Sequence, residues 1–296
     1  MGGFEHQPSW RCCPLALGGK SLHIPLKRSD DGRRQTKMYN YRFWASHFQR
    51  SFVPHLRRLR ESFEKRLLPA FANLDAEAQE IQTEAFDRFN QMPSDEHCDP
   101  TWPAEMAHDE ALDHYMGMSA VRQTLLNASA PILYHAWEQQ LLSFHRREIL
   151  HPSESDDPKL LSLEILQKRL AKNRINFASL PSWKTITELK HAANAVKHAD
   201  GPSAEVLKTK YPNLLENPAL DDSEIPKPSY RARVYSPLSG NDIFIRQTDL
   251  QRYSTALIEF WSELASALAD VQTLAQAERQ RHLAEQPLHP PESAQP

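Results

Sequence analysis

LRRLRESFEKRLLPAFANLDAEAQEIQTEAFDRF, residues 56–89, decides the fold class. Leu56, Leu59, Phe63, Leu67, Phe71, Leu74, Ala78, Ile81, Ala85 and Phe89 recur in it at alternating steps of three and four. That period belongs to one face of an α-helix, and such a face buries against other helices. Pro69 should kink this arm, and Asp75 is placed to restart it as an N-cap. Upstream, the helical pattern begins at Tyr39. Downstream, Gln91 to Pro103, rich in Pro, Asp and Ser, reads as a connecting loop.

A second helical stretch runs from about Ala104 to Leu150, with Pro131 expected to kink or break it. A helix over Leu160 to Phe177 follows, and another opens at Pro181 with Ser182 as N-cap and stops at Asp200-Gly201. Four prolines make Tyr211 to Pro228 irregular. Arg231 to Val234 and Ile243 to Ile245, flanking Ser239-Gly240-Asn241, read as a small β-hairpin. Thr248 then caps a last helix to about Gln280, whose face of Leu250, Tyr253, Leu257, Phe260, Trp261, Leu264 and Leu268 is core or a dimer face. The expected architecture is mainly α, an elongated bundle of long antiparallel helices with one hairpin before the C-terminal helix. Residues 38–285 form a single domain in this reading. Residues 1–37, basic and irregular, are a disordered tail or an overextended start with Met38 as initiator, and the tail over 286–296 is disordered.

Composition narrows the function classes. A formal charge of -3 and a pI near 6.5 exclude binding to nucleic acid by bulk charge, so any such contact is a local patch. Cys12, Cys13 and Cys98 make neither a CxxC pair nor an even framework, which favours a reducing cytoplasm over a disulfide scaffold. No window approaches a membrane span. No GxSxG and no phosphate loop is present, and Cys98 stands alone.

Two stretches carry residues suited to chemistry. In ELKHAANAVKHADG, residues 188–201, the apolar side is Leu189, Ala193 and Val196, continuing from Ile186, and the polar side is Lys190, His191, Asn194, Lys197 and His198. Histidines seven residues apart stand two turns apart on one side. An imidazole titrates near neutrality and a lysine steadies phosphate, so this face suits proton transfer at a phosphorus centre. It equally suits a solvated C-terminal turn, where Lys and His complement the helix dipole. In LYHAWEQQL, residues 133–141, Tyr134, His135 and Glu138 fall within one turn, so His135 and Glu138 are in reach at i,i+3. A buried hydrogen-bonded cluster and a supporting active-site role are both open there. Packed face to face, the two stretches would also offer His191, His198, His135 and Glu138 to a metal, but no HExxH spacing supports one, and no metal or cofactor is expected.

A Glu-bearing helix followed by a helix ending in Asn-x-x-Lys-His-x-Asp-Gly resembles the HEPN superfamily of prokaryotic helical nucleotide-binding proteins, over about residues 104–200. The resemblance implies a metal-independent endoribonuclease of phage defence or a toxin-antitoxin pair, acting on RNA or nucleotides, with helices of a homodimer assembling the site. It matches His198 to the family's histidine and Asn194 to its polar residue. Ala193 stands where the family has arginine, so Lys190 or Lys197 would supply the cation. Arg42 to His47, Arg50 to His55 and Arg146 to His151 are further literal Arg-x4-His matches. In the cleaving version His198, Lys197, Asn194 and Glu138 are catalytic, and Lys190, His191, His135 and Tyr134 contact the substrate. In the alternative the chain is a non-catalytic helical module that binds a protein partner.

Overall fold

The computed structural model describes residues 39–93, 99–154, 156–218, 238–239 and 242–284. Both expected tails, 1–37 and 286–296, lie outside the described residues. So does the first arm of the expected hairpin, Arg231 to Val234. Among the described residues the fold is mainly helical, with no strand and no helix long and apolar enough to cross a membrane.

The chain from Tyr41 to Phe71 is a run of helical segments whose hydrogen bonding changes at each proline. α1 (Tyr41–His47) passes through a π-turn, Phe48–Phe52, into α2 (Val53–Ser62). A second π-turn, Phe63–Leu67, leads to a 3₁₀ turn, Leu68–Phe71. Pro54 and Pro69 each stand two residues beyond a π-turn and have no N–H for an i−4 carbonyl. The residue before each, Val53 or Leu68, instead donates five residues back, to Phe48 or Phe63. The wider turn holds one extra residue and rotates everything after it. Hence Leu67, expected in the apolar stripe, is 41% exposed and Leu68 is buried in its place.

α3 (Leu74–Asn90) starts from Asn73, so Asp75 lies in the first turn rather than at the cap. α4 (Trp102–Phe144) is 43 residues long and contains Pro131 without a break. A third π-turn, His145–Ile149, closes it just before Pro152, with the Leu150 N–H bonded to the His145 carbonyl at 2.9 Å. There Glu148 accepts from the Trp44 indole at 2.8 Å and from the Asn40 N–H at 3.0 Å, which ties the start of α1 to the end of α4. The helix expected over Leu160 to Phe177 is shorter, α5 (Leu163–Ala171), capped by the Ser162 hydroxyl. α6 (Trp183–His198), α7 (Pro202–Lys210) and α8 (Gln247–Ala284) complete the set.

The core forms along α8. Trp261 packs on Phe48 and Phe52 of the first π-turn, and Phe260 packs on Trp137 of α4 and on Phe177, with ring centroids 4.6–5.1 Å apart. All seven apolar residues expected on this face are fully buried.

The second arm of the expected hairpin, Ile243 to Ile245, is not a strand. It is held by side-chain amides of α4 in the way a neighbouring strand would hold it. Asn127 Nδ2 donates to the Ile243 carbonyl at 2.6 Å, the Ile245 N–H donates to Asn127 Oδ1 at 3.0 Å, and Gln123 Nε2 donates to the Ile245 carbonyl at 3.1 Å. The alternating Ile243 and Ile245 that suggest a strand are both fully buried. One carboxamide supplies the paired donor and acceptor of a β-ladder rung, so no partner strand is needed at this rung.

Candidate functional site

α6 begins at Ser182, the expected N-cap, but the serine hydroxyl does not cap. It donates to Glu263 Oε2 of α8 at 2.6 Å, and the Ser182 N–H points to the same carboxylate. Six residues further on, Glu188 is buried and accepts both terminal nitrogens of Arg252 and the hydroxyl of Tyr253 at 2.9 Å. Arg252 also donates to Asp249 at 2.9 Å. Two bonds to one carboxylate fix angle as well as distance, so this clamp sets the rotation of α6 against α8. Glu188, chiefly through its hydrogen bond to the guanidinium, raises the pKa of Arg252. Burial above all, and then the nearby Glu188 charge, raises that of Tyr253.

With that rotation, Ile186, Leu189, Ala192, Ala193 and Ala195 face the core. Lys190, Lys197 and His198 are exposed, and His191 and Asn194 are half-buried. The helix ends at His198, where Ala199 takes φ 56°, ψ -113°, a left-handed backbone that costs a residue with a Cβ. Gly201, at φ 150°, opens α7 rather than closing α6. The sharp reversal lays α7 against α6 and brings Ser203 Oγ within 3.3 Å of His191 Nδ1. Burial, then the cations of Lys190 and Lys210, push the His191 imidazole below its ordinary value, so it is neutral at neutral pH.

Charge is unevenly cancelled on this face. Lys208 takes Glu205 at 2.9 Å and Asp200 at 3.6 Å, and Arg252 takes Glu188. Lys190, Lys197 and Lys210 have no carboxylate partner among the described residues, and Asn194 and His198 make no side-chain hydrogen bond there. The result is two exposed ammonium groups, Lys190 and Lys210, beside a neutral imidazole with a hydroxyl on one nitrogen, and a third, Lys197, further along α6.

The other expected residues lie elsewhere. Tyr134 is buried and hydrogen-bonded to Glu138, and burial followed by that carboxylate raises the tyrosine pKa. His135 is exposed and, with His55, Phe52, Leu59 and Ile132, lines a groove of about 550 Å³ between α2 and α4. α6 runs antiparallel to α8, since Ser182 meets Glu263 while Glu188 meets Arg252. α4 runs parallel to α8, since Asn127 meets Ile245 while Trp137 meets Phe260. Trp183 lies against Trp137 with ring centroids 6.2 Å apart, next to Glu138. His198 is fifteen residues further along α6, about 22 Å at 1.5 Å per residue. Glu138 with Tyr134, and His198 with Lys197, therefore sit toward opposite ends of the α4–α6 packing. His191, His198, His135 and Glu138 are not gathered as a ligand set, and the described residues contain no group of three or more potential metal ligands.

Sequence reading overlooks Arg252, Glu188, Ser203 and Lys210. Glu188 carried a signal, because it adjoins Leu189 and lies one turn from Ala192 on the buried side, where an acidic residue requires a partner. Ser203 and Lys210 carried none, since only the reversal at Ala199 brings them to His191. Comparison with family models, curated proteins and solved structures gives no match, so no relative assigns these residues a role.

The depressed histidines set a pH dependence. His47 is likewise held below its ordinary value by burial and by Arg147. An unfolded histidine takes up a proton near pH 6.5, while His47 and His191 resist it to lower pH. Stability is therefore expected to fall as pH drops from about 6.5 toward 5. The double variant His47→Asn, His191→Asn should flatten that part of the melting-temperature profile. An unchanged slope would refute the assignment.

Proposed function

We propose that the α6–α7 face binds the sugar-phosphate backbone of RNA or a nucleotide, in the manner that the HEPN resemblance implies. The observation that carries this reading is the grouping of Lys190 and Lys210, without carboxylate partners among the described residues, beside a neutral His191. The chemistry suited to it is metal-independent transesterification. With its Nδ1–H donated to Ser203, His191 has Nε2 free to take the proton of a ribose 2′-OH. The 2′ oxygen then attacks phosphorus, a cyclic phosphate forms, and the departing 5′ oxygen takes a proton from water. His191 thus replaces His198 as the preferred base. Asn194, Lys197 and His198 extend the face along the strand.

Binding of a labelled single-stranded RNA, measured against salt, tests the reading. Each lost phosphate contact lowers the slope of log K against log salt by about 0.7 for single strands, so Lys190→Ala with Lys210→Ala should reduce it by about 1.4. Incubation in EDTA with His191→Ala and His198→Ala then asks for cyclic-phosphate ends. Absence of salt-dependent binding by the wild type overturns the proposal. Binding without cleavage leaves an RNA-binding face and removes the catalytic part. The separation of Glu138 from His198 favours a second reading, a non-catalytic helical module, which a wild type inert in both assays would support.

A further inference from the structure

The hairpin of α3 and α4 is built unlike the rest of the chain. α4 is the principal packing partner of α3, and the seam between them is thin, with Leu74, Ala85, Ala107 and Ala111 as its buried residues. None of these four belongs to the core cluster, whose α4 members begin at Leu126. Eight of the thirteen large apolar side chains that stand exposed among the described residues fall between Phe86 and Val121, in this hairpin. A monomer's exposed apolar residues are normally scattered, and a concentration of them marks a binding surface.

Three of them share one face of α4. Met106, Leu112 and Met116 are exposed on the side turned away from the α3 seam, with Glu105, Asp109 and Asp113 among them at four-residue steps, whereas Trp102 packs edge-on against Phe89 of α3. Neither Asp109 nor Asp113 has a basic partner among the described residues. A Cβ added at Gly117 would meet nothing within 4 Å, so this side of the helix is open. Over residues 74–93 and 99–125 the hairpin carries ten Asp and Glu against Arg88 and Arg122. That sign repels nucleic acid, anionic membrane and the same hairpin of a second copy.

We infer that this face of α4 is the docking site of a basic amphipathic helix from a partner protein, which completes the two-helix arm as a three-helix bundle. Apolar residues of the partner at helical spacing cover Met106, Leu112 and Met116, and its Lys or Arg residues meet Asp109 and Asp113. The inference is independent of the RNA reading, since the surface, the sign of charge and the partner class all differ.

The full chain is titrated with a synthetic peptide of about three heptads, Leu at its a and d positions and Lys elsewhere, and with a scrambled peptide of equal composition. The amphipathic peptide should bind one to one. Met106→Ser with Met116→Ser, and separately Asp109→Lys with Asp113→Lys, should each weaken it about tenfold or more, as should scrambling. All four positions are exposed, and far-UV circular dichroism checks that both variants fold. Equal binding by the scrambled peptide, or affinity unchanged in either variant, overturns the proposal. So does sedimentation showing that these substitutions dissociate a self-associated wild type, because the occupant is then a second copy.

Discussion

Asn127→Ala is expected to destabilise the protein by about 2–4 kcal/mol, because a buried backbone donor and a buried acceptor lose their partner together at about 1–3 kcal/mol each. The two groups are the Ile245 N–H and the Ile243 carbonyl, on a segment whose side chains are fully buried. Water cannot readily replace the amide without displacing Ile243 or Ile245. Asn127→Asp should be comparable, since it keeps the acceptor, removes the donor and adds a buried charge. Urea denaturation at constant m reads the effect as a shift in midpoint. A loss below about 0.5 kcal/mol, the range of an ordinary surface substitution, would show that the 243–245 segment is held by packing alone.

Glu188→Ala is the second large effect, at about 3 kcal/mol. Removing one partner of a buried ion pair typically costs about 3–5 kcal/mol. The lower end applies because Arg252 keeps Asp249 and its side chain is 40% exposed, so water screens part of the loss. Tyr253 contributes separately, since its fully buried hydroxyl is left without an acceptor. Tyr253→Phe alone should cost about 1 kcal/mol, and in the Glu188→Ala background it should cost little or be favourable. That reversal is the signature of a shared hydrogen bond, readable in a double-mutant cycle. Additive losses would mean that the two residues act independently. The Lys190 and Lys210 substitutions should alter salt-dependent binding with little change in stability, which separates the clamp from the face that it orients.

The long helices were legible because their burial pattern is local. α8 places seven apolar residues on one face over five turns, and nothing else in the fold is needed to read it. The polar side of α6 was legible for the same reason. What escaped depends on contacts distant in sequence. Ile243 and Ile245 alternate as strand residues do, yet the groups that satisfy their backbone come from a carboxamide 116 and 118 residues away. Tyr134, His135 and Glu138 look like one cluster on a helical wheel. In the fold, however, Glu138 takes Tyr134 while His135 turns toward α2, and the direction of α6 carries His198 away from both. Directions of helices are set by packing against α8, which no local pattern records.

The pairing of π-turns with prolines bears on how this chain can change. A π-turn is a helix that has accepted one additional residue, and deleting that residue should return the helix to its α register. At Phe48–Phe52 and Phe63–Leu67 the wide turn is closed by the last N–H before the proline, that of Val53 or Leu68. Loss of one residue inside the turn would leave that N–H four residues from Phe48 or Phe63, an ordinary α-helical bond, and would ask nothing of Pro54 or Pro69, which have no N–H to give in either register. What the loss would change is the rotation of every helix face that follows, so the residue count of this stretch is tied to which side chains reach the core rather than to its hydrogen bonds.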